Sequence, residues 1–170
     1  MEDVLAIADG NDAGTGYKRA FLFNGINGSI IWEHYYPGPN LSFGKTVISI
    51  DDINGDNLPD AVIAYGNNGT TNLSVRALNG TNGSTLWTKD MTTWEPKELL
   101  ELPLPGDSSD VIAAEYFSNI RRLDGRTGAE VWSYPLGGSA GVIQMALIED
   151  FTSDQIPEVL IASFAGNGYY

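Results

Sequence analysis

Oxygen-bearing side chains crowd one short stretch of this chain, Asp51-Asp52-Ile53-Asn54-Gly55-Asp56-Asn57-Leu58-Pro59-Asp60. Counted from Asp52 as the first position, Asn54, Asp56 and Asp60 stand at the third, fifth and ninth, with the Leu58 carbonyl at the seventh. A hard cation that takes about six to eight oxygens is served by that spacing, because alternate residues of a tight turn fold inward around it. The chemistry expected is calcium binding, with Gly55 supplying the turn. A bare strand turn also favours Asn, Asp and Gly, but it does not call for acids at the first, fifth and ninth positions. A second stretch repeats the spacing with Asp150, Thr152, Asp154, the Ile156 carbonyl and Glu158. Its donors are poorer, since Thr152 offers a neutral hydroxyl and Glu158 is a methylene longer than Asp. Before Asp110 the same places hold Leu102, Leu104, Gly106 and Ser108, so no metal is expected there.

Strands must position these ligands. Lys45–Ile50 precedes the first loop and Asp60–Gly66 follows it, both rich in β-branched residues. An EF-hand would place helices on either side and a glutamate at the twelfth position, and neither is present. The Asx-rich loop, its Pro59-Asp60 and the apolar strand after them resemble the FG-GAP repeat of integrin α-chain propellers. That resemblance implies side-chain ligation by Asp52, Asn54, Asp56 and Asp60 and backbone ligation by Leu58.

Internal repetition extends the pattern over the chain. Asp3-Val4-Leu5-Ala6-Ile7-Ala8, Asp60-Ala61-Val62-Ile63-Ala64, Asp110-Val111-Ile112-Ala113-Ala114 and Glu158-Val159-Leu160-Ile161-Ala162 recur at intervals of about 50 residues. A second landmark follows each of the first three: Asn24-Gly25 to Trp32, Asn79-Gly80 to Trp87, and Asp124-Gly125 to Trp132, each with a further glycine three residues on. These are hairpin signals, because Asn-Gly and Asp-Gly readily take positive φ between alternating strands. The Asx-Gly-x-x-Gly-x-x-x-Trp string resembles the PQQ-like propeller repeat, which implies that Trp32, Trp87 and Trp132 pack between neighbouring blades. Trp94 lies outside that register and is expected at the surface.

The repeats read as strands Val4–Ala8, Lys18–Asn24, Ser29–Tyr35 and Thr46–Asp51, then Ala61–Tyr65, Leu73–Leu78, Thr85–Thr88 and Glu98–Leu102, then Val111–Glu115, Ser118–Leu123, Glu130–Tyr134 and Gly141–Asp150. The fold expected is all-β: propeller blades of four antiparallel strands, in one partial β-propeller domain over 1–170. Its repeats run approximately 3–59, 60–109 and 110–157, with a fourth starting at 158–170. Rings close with about 4–8 blades, so further blades in the same or another chain are expected to complete this one. The Leu-rich stretch 95–104 has room for a turn of helix, which Pro96, Pro103 and Pro105 oppose.

Composition narrows the function. The chain has 170 residues, 22 acids against 9 bases and a net charge of -13, which opposes nucleic-acid binding. It has no cysteine, hence no disulfide or thiolate site. The lone His34 reads as a strand-end surface residue. No apolar run has the length of a membrane span, and the N-terminus lacks a signal-peptide pattern. Asn-x-Ser/Thr sequons stand at Asn27, Asn40, Asn68, Asn72, Asn79 and Asn82. With the acidic surface and an oxygen-only calcium loop, they favour a cell-surface or secreted glycoprotein, with an archaeal source among the expectations.

No nucleophile elbow, phosphate loop or zinc spacing is present. Gly137-Gly138-Ser139-Ala140-Gly141 has no basic neighbour and reads as a loop. The pairs Asp51/Asp52 and Glu149/Asp150 have the chemistry of an acid/base couple, yet the calcium spacing already accounts for them. Two functions remain. One is a non-catalytic, calcium-stabilised propeller binding protein or glycan, as in adhesion. The other is a fragment of a propeller enzyme, either a quinoprotein dehydrogenase or a calcium-dependent polysaccharide lyase. The vicinal cysteine pair expected of quinoprotein dehydrogenases is absent here.

Overall fold

Short apolar runs punctuated by glycine, proline and Asx residues form strands throughout. The computed structural model describes residues 2–8, 19–35, 42–67, 73–91, 96–106, 108–116, 119–137 and 141–164. Sheet I comprises β1 (Val4–Ala8), β2 (Arg19–Phe23) and β3 (Ile30–Tyr35). Sheet II comprises β4 (Ser42–Ile50), β5 (Asp60–Asn67), β6 (Leu73–Leu78) and β7 (Thr85–Met91). Sheet III comprises β8 (Pro96–Leu104), β9 (Ser108–Glu115), β10 (Asn119–Leu123) and β11 (Glu130–Pro135), and sheet IV comprises β12 (Gly141–Ile148) and β13 (Glu158–Phe164). Pairing is antiparallel and follows chain order in every sheet.

The phase of the sheets differs from that of the sequence repeats by one strand. β4, which closes the first repeat, pairs with β5 of the next in register Ile50↔Asp60, and β8 and β12 behave alike. A short loop brings antiparallel neighbours together at little entropic cost, whereas repeat periodicity carries no information about phase. The Leu-rich stretch is a nine-residue strand, not a helical turn. Its prolines are tolerated because β8 is an edge strand.

Period-2 alternation explains how the sheets stack. On β5, Ala61, Ile63 and Tyr65 face sheet I, where they join Ala20 and Trp32, while Val62 and Ala64 face sheet III with Val111, Ala113 and Leu123. On β9 the other parity, Ile112 and Ala114, meets Val142 and Met145 of sheet IV. Strands β5 and β9, at the middle of sheets II and III, are therefore buried on both faces. At the free end, Val4 is 54% exposed, and Phe21 and Phe23 stack with centroids 5.5 Å apart on the face of sheet I away from sheet II.

Trp32 and Trp87 are buried, as the repeat implies, but Trp132 is 40% exposed. That departure has a physical cause. Each buried tryptophan is covered by the turn of the following sheet, and among the described residues sheet IV has no such turn. Trp94 lies outside the described residues, as do the sequons Asn40, Asn68 and Asn72.

Candidate metal loops and inter-sheet joints

The loop 51–59 joins two strands of one sheet and is anchored from below. Ile53 is buried between sheets II and III, and Asp60, at the head of β5, is 3% exposed. Positive φ at Gly55 (87°) and Asn57 (66°) winds the backbone around the Asp52 carboxylate. Asp52 Oδ1 accepts the amides of Asn54, Gly55 and Asp56, and Oδ2 that of Asn57 at 2.6 Å. Asp60 accepts the amides of Ile53 and Gly80, and both its oxygens take Asn54 Nδ2 at 2.8–2.9 Å. Asp56 Oδ1 accepts the Leu58 amide, while its Oδ2 takes Asn79 Nδ2 and Thr81 Oγ1 from the β6–β7 turn. Leu58 itself is exposed. Asn79 and Thr81 were invisible to spacing arguments, because they approach from another hairpin.

The second loop copies the first. Asp150 Oδ1 accepts the amides of Thr152, Ser153 and Asp154, and Oδ2 that of Gln155. Glu158 accepts Phe151 and Thr152 amides, and Asp154 accepts that of Ile156. Two differences weaken it. Phe151, at the place of Ile53, is 73% exposed, and Ser153 holds φ 63° where the first loop has glycine. A left-handed non-glycine residue costs about 1–2 kcal/mol, partly offset by glycine's own backbone entropy. Ser153→Gly is expected to stabilise the chain by about 0.5–1 kcal/mol in urea unfolding.

Burial and backbone amides act in opposite directions on the carboxylates of the first loop. Burial pushes the Asp60 carboxyl up, more than the Gly80 and Ile53 amides pull it down, and the charges of Asp56 and Asp52 add to the rise. Desolvation acts upward on Asp52 too, but the amides of Asn57, Gly55, Asp56 and Asn54 outweigh it and hold that carboxyl below its usual range. Asp150 follows the same balance with the amides of Gln155, Ser153, Asp154 and Thr152. The carboxylates of Asp52, Asp56 and Asp60, the Asn54 amide oxygen and the Leu58 carbonyl are donors of the type that a hard divalent cation takes. Among the described residues no group of His, Cys, Asp and Glu is gathered into a ready cage, since the carboxylates point at backbone amides. Asp51 is drawn away from Asp52: its amide donates to Glu101 Oε1 and its carboxylate accepts Ser109 Oγ of sheet III.

The hairpin turns form the joints between sheets. In each, the Asx side chain accepts the amides two and three residues on, and the closing glycine amide bonds the Asx carbonyl at 2.8 Å. Positive φ falls on the second glycine, not on the Asx-Gly pair: Gly28 (72°), Gly83 (72°) and Gly128 (69°). The first glycine is needed for close approach, since a Cβ on Gly80 would lie 1.9 Å from the Pro59 carbonyl oxygen. Trp32 Nε1 donates to Gly80 O, and Trp87 Nε1 to Gly125 O, each at 2.7 Å. Their rings lie so close over Gly83 and Gly128 that a Cβ would fall 2.8 and 2.5 Å from them.

His34 belongs to one of these joints and is half-buried, not a surface residue. The Gly83 carbonyl can only accept, so Nδ1 carries the proton at 2.9 Å; Nε2 then accepts from Arg76 at 3.2 Å, and Arg76 also donates to Tyr65 Oη and Thr88 Oγ1. Burial lowers the imidazole's pKa below 6.5, more than the Gly83 carbonyl raises it, and the Arg76 charge lowers it further. A depressed folded value means stability is fully present above pH 6.5 and is lost as the pH falls through the folded value. Thermal melts from pH 7.5 downward are expected to show that loss above the carboxylate range, and His34→Gln to flatten it.

The chain is thus all-β, a partial propeller of antiparallel blades that reach four strands. No family model matches it, and no curated protein does. Among solved structures 27 chains match; one is reported as the crystal structure of BamB from Moraxella catarrhalis, with a TM-score of 0.45 and 18% identity over 81% of this chain. The match covers 39% of that chain's length. Among the described residues no helix is long and apolar enough to cross a membrane.

Proposed function

We propose that this chain is a non-catalytic propeller arc in which calcium staples the hairpin that opens a blade, and whose exposed rim binds protein or glycan at the cell surface or outside the cell. The observation that supports it is the duplicated loop, in which residues 52–60 and 150–158 adopt one hydrogen-bonding scheme around oxygen donors alone. Asp52, Asn54, Asp56, Asp60 and the Leu58 carbonyl form the stronger site. Asp150, Thr152, Asp154, Glu158 and the Ile156 carbonyl form the weaker. Cytosolic calcium is too scarce to fill a modest site of this kind. The sequons Asn27 and Asn82 sit on exposed turns, whereas Asn79 Nδ2 is committed to Asp56, so glycan is expected at the first two and not at Asn79.

Calcium that binds the folded chain alone adds about 2.7 kcal/mol at a hundredfold excess over its Kd. Differential scanning calorimetry should show Tm rising with calcium and falling with chelator. Asp52→Ala and Asp56→Ala should abolish most of that response, whereas Asp150→Ala should remove a smaller part. A melt indifferent to calcium in the unaltered chain would remove the staple.

A further inference from the structure

Every donor of the first metal loop belongs to sheet II, yet the residues that hold those donors in place reach toward both neighbouring sheets. On one side the link runs to sheet III. Ser109 Oγ, near the head of β9, donates to Asp51 Oδ2 at 2.9 Å, and the Asp51 amide donates to Glu101 Oε1 of β8 at 2.9 Å. Ile53 is buried in the cluster between sheets II and III, and its Cγ2 lies 3.4 Å from the place a Cβ on Gly125 would take. The Gly125 carbonyl is the acceptor of Trp87 Nε1. That receiving side is itself held, since Asp110 accepts the Gly125 amide at 2.9 Å and Arg122 Nε at 2.6 Å.

On the other side the link runs to sheet I. Asp60 Oδ1 accepts the Gly80 amide at 2.8 Å, and Asp56 Oδ2 accepts Asn79 Nδ2 and Thr81 Oγ1. These residues form the turn over Trp32, whose Nε1 donates to the Gly80 carbonyl at 2.7 Å. One loop thus touches the turn over Trp32 directly and the turn over Trp87 through Ile53.

We infer that loop 51–59 is a clasp shared by three sheets, in which Ser109, Ile53, Asn79 and Thr81 are positioning residues for its oxygen donors and the two tryptophan joints flanking sheet II open only when the loop releases. A carboxylate has about four lone-pair sites, so Asp56 and Asp60 hold the turn and keep room for a cation. Groups that fix ligating carboxylates from outside the loop also strengthen metal binding. The coupling is reciprocal: what a bound cation adds to the joints, the joints add to its affinity. The clasp stands on the hydrogen bonds alone, whereas its response to calcium rests on reading the loop as a calcium site.

The test follows indole N–H exchange at Trp32 and Trp87 by NMR on the full chain, in chelator and in calcium, with the Kd measured by calorimetry. At about a hundredfold excess of calcium over its Kd, exchange at both indoles should slow by about a hundredfold, because opening then requires release of the cation. Trp132, 40% exposed, should not respond. Ser109→Ala bonds none of the proposed ligands, yet it should weaken calcium binding about three- to tenfold and reduce the slowing at Trp87 but not at Trp32. A serine of merely structural value would lower Tm and leave both affinity and calcium response untouched, which overturns the inference. If calcium binds and either buried indole fails to respond, the clasp is overturned and the calcium site stands. If calcium does not bind, the calcium reading falls and Asp52→Asn decides the clasp, since Asp52 touches neither turn and holds the loop through four amides. Faster exchange at both indoles, with the amides of β5 and β9 still protected, upholds it; unchanged exchange overturns it too.

Discussion

Trp87→Ala is expected to lower the unfolding free energy by about 3–5 kcal/mol, the range for deleting a large buried aromatic. Trp87 is 7% exposed, belongs to the cluster between sheets II and III, and donates its indole N–H to Gly125. Its removal leaves a cavity at the centre of the arc and an unpaired carbonyl in a buried turn. Trp132→Ala serves as the internal comparison, since that ring is 40% exposed and holds no joint here; about 1 kcal/mol or less is expected. Urea unfolding at fixed calcium reads both. Equal losses at the two positions would contradict the packing described.

Gly128→Ala is expected to cost about 2–4 kcal/mol, combining a left-handed conformation with overpacking. The added methyl would lie 2.5 Å from Trp87 Cε3 while the backbone holds φ 69°. Gly28→Ala meets the same backbone at 72° with open space around it, so about 1–2 kcal/mol is expected from conformation alone. The difference between the two measures the tryptophan contact. A Gly128→Ala loss no larger than that of Gly28→Ala would show that the indole shifts aside without cost.

The strands were legible because alternation and punctuation are local, and the stacking partly so. Parity on β5 and β9 divides Ala61, Ile63 and Tyr65 from Val62 and Ala64 as a half-buried pleat requires. What local pattern could not carry was which strands share a sheet: β4 reads equally well as the end of one repeat or the start of the next. Repetition also equated Trp132 with Trp32 and Trp87, although burial depends on a neighbour that repetition does not supply. His34 looked peripheral because its partners, Gly83 and Arg76, are distant in sequence. In the loop the donors could be counted from Asp52 onward, but Ile53 as anchor and Asn79 as brace are tertiary facts.

The one-strand offset between repeat and sheet has a mechanical result. Every sheet from the second onward borrows its first strand from the unit before it, so neighbours are spliced through backbone ladders as well as pressed together. Unravelling one unit strips the first strand from the next sheet, and the arc should yield to load or denaturant as a linked series instead of shedding independent pieces.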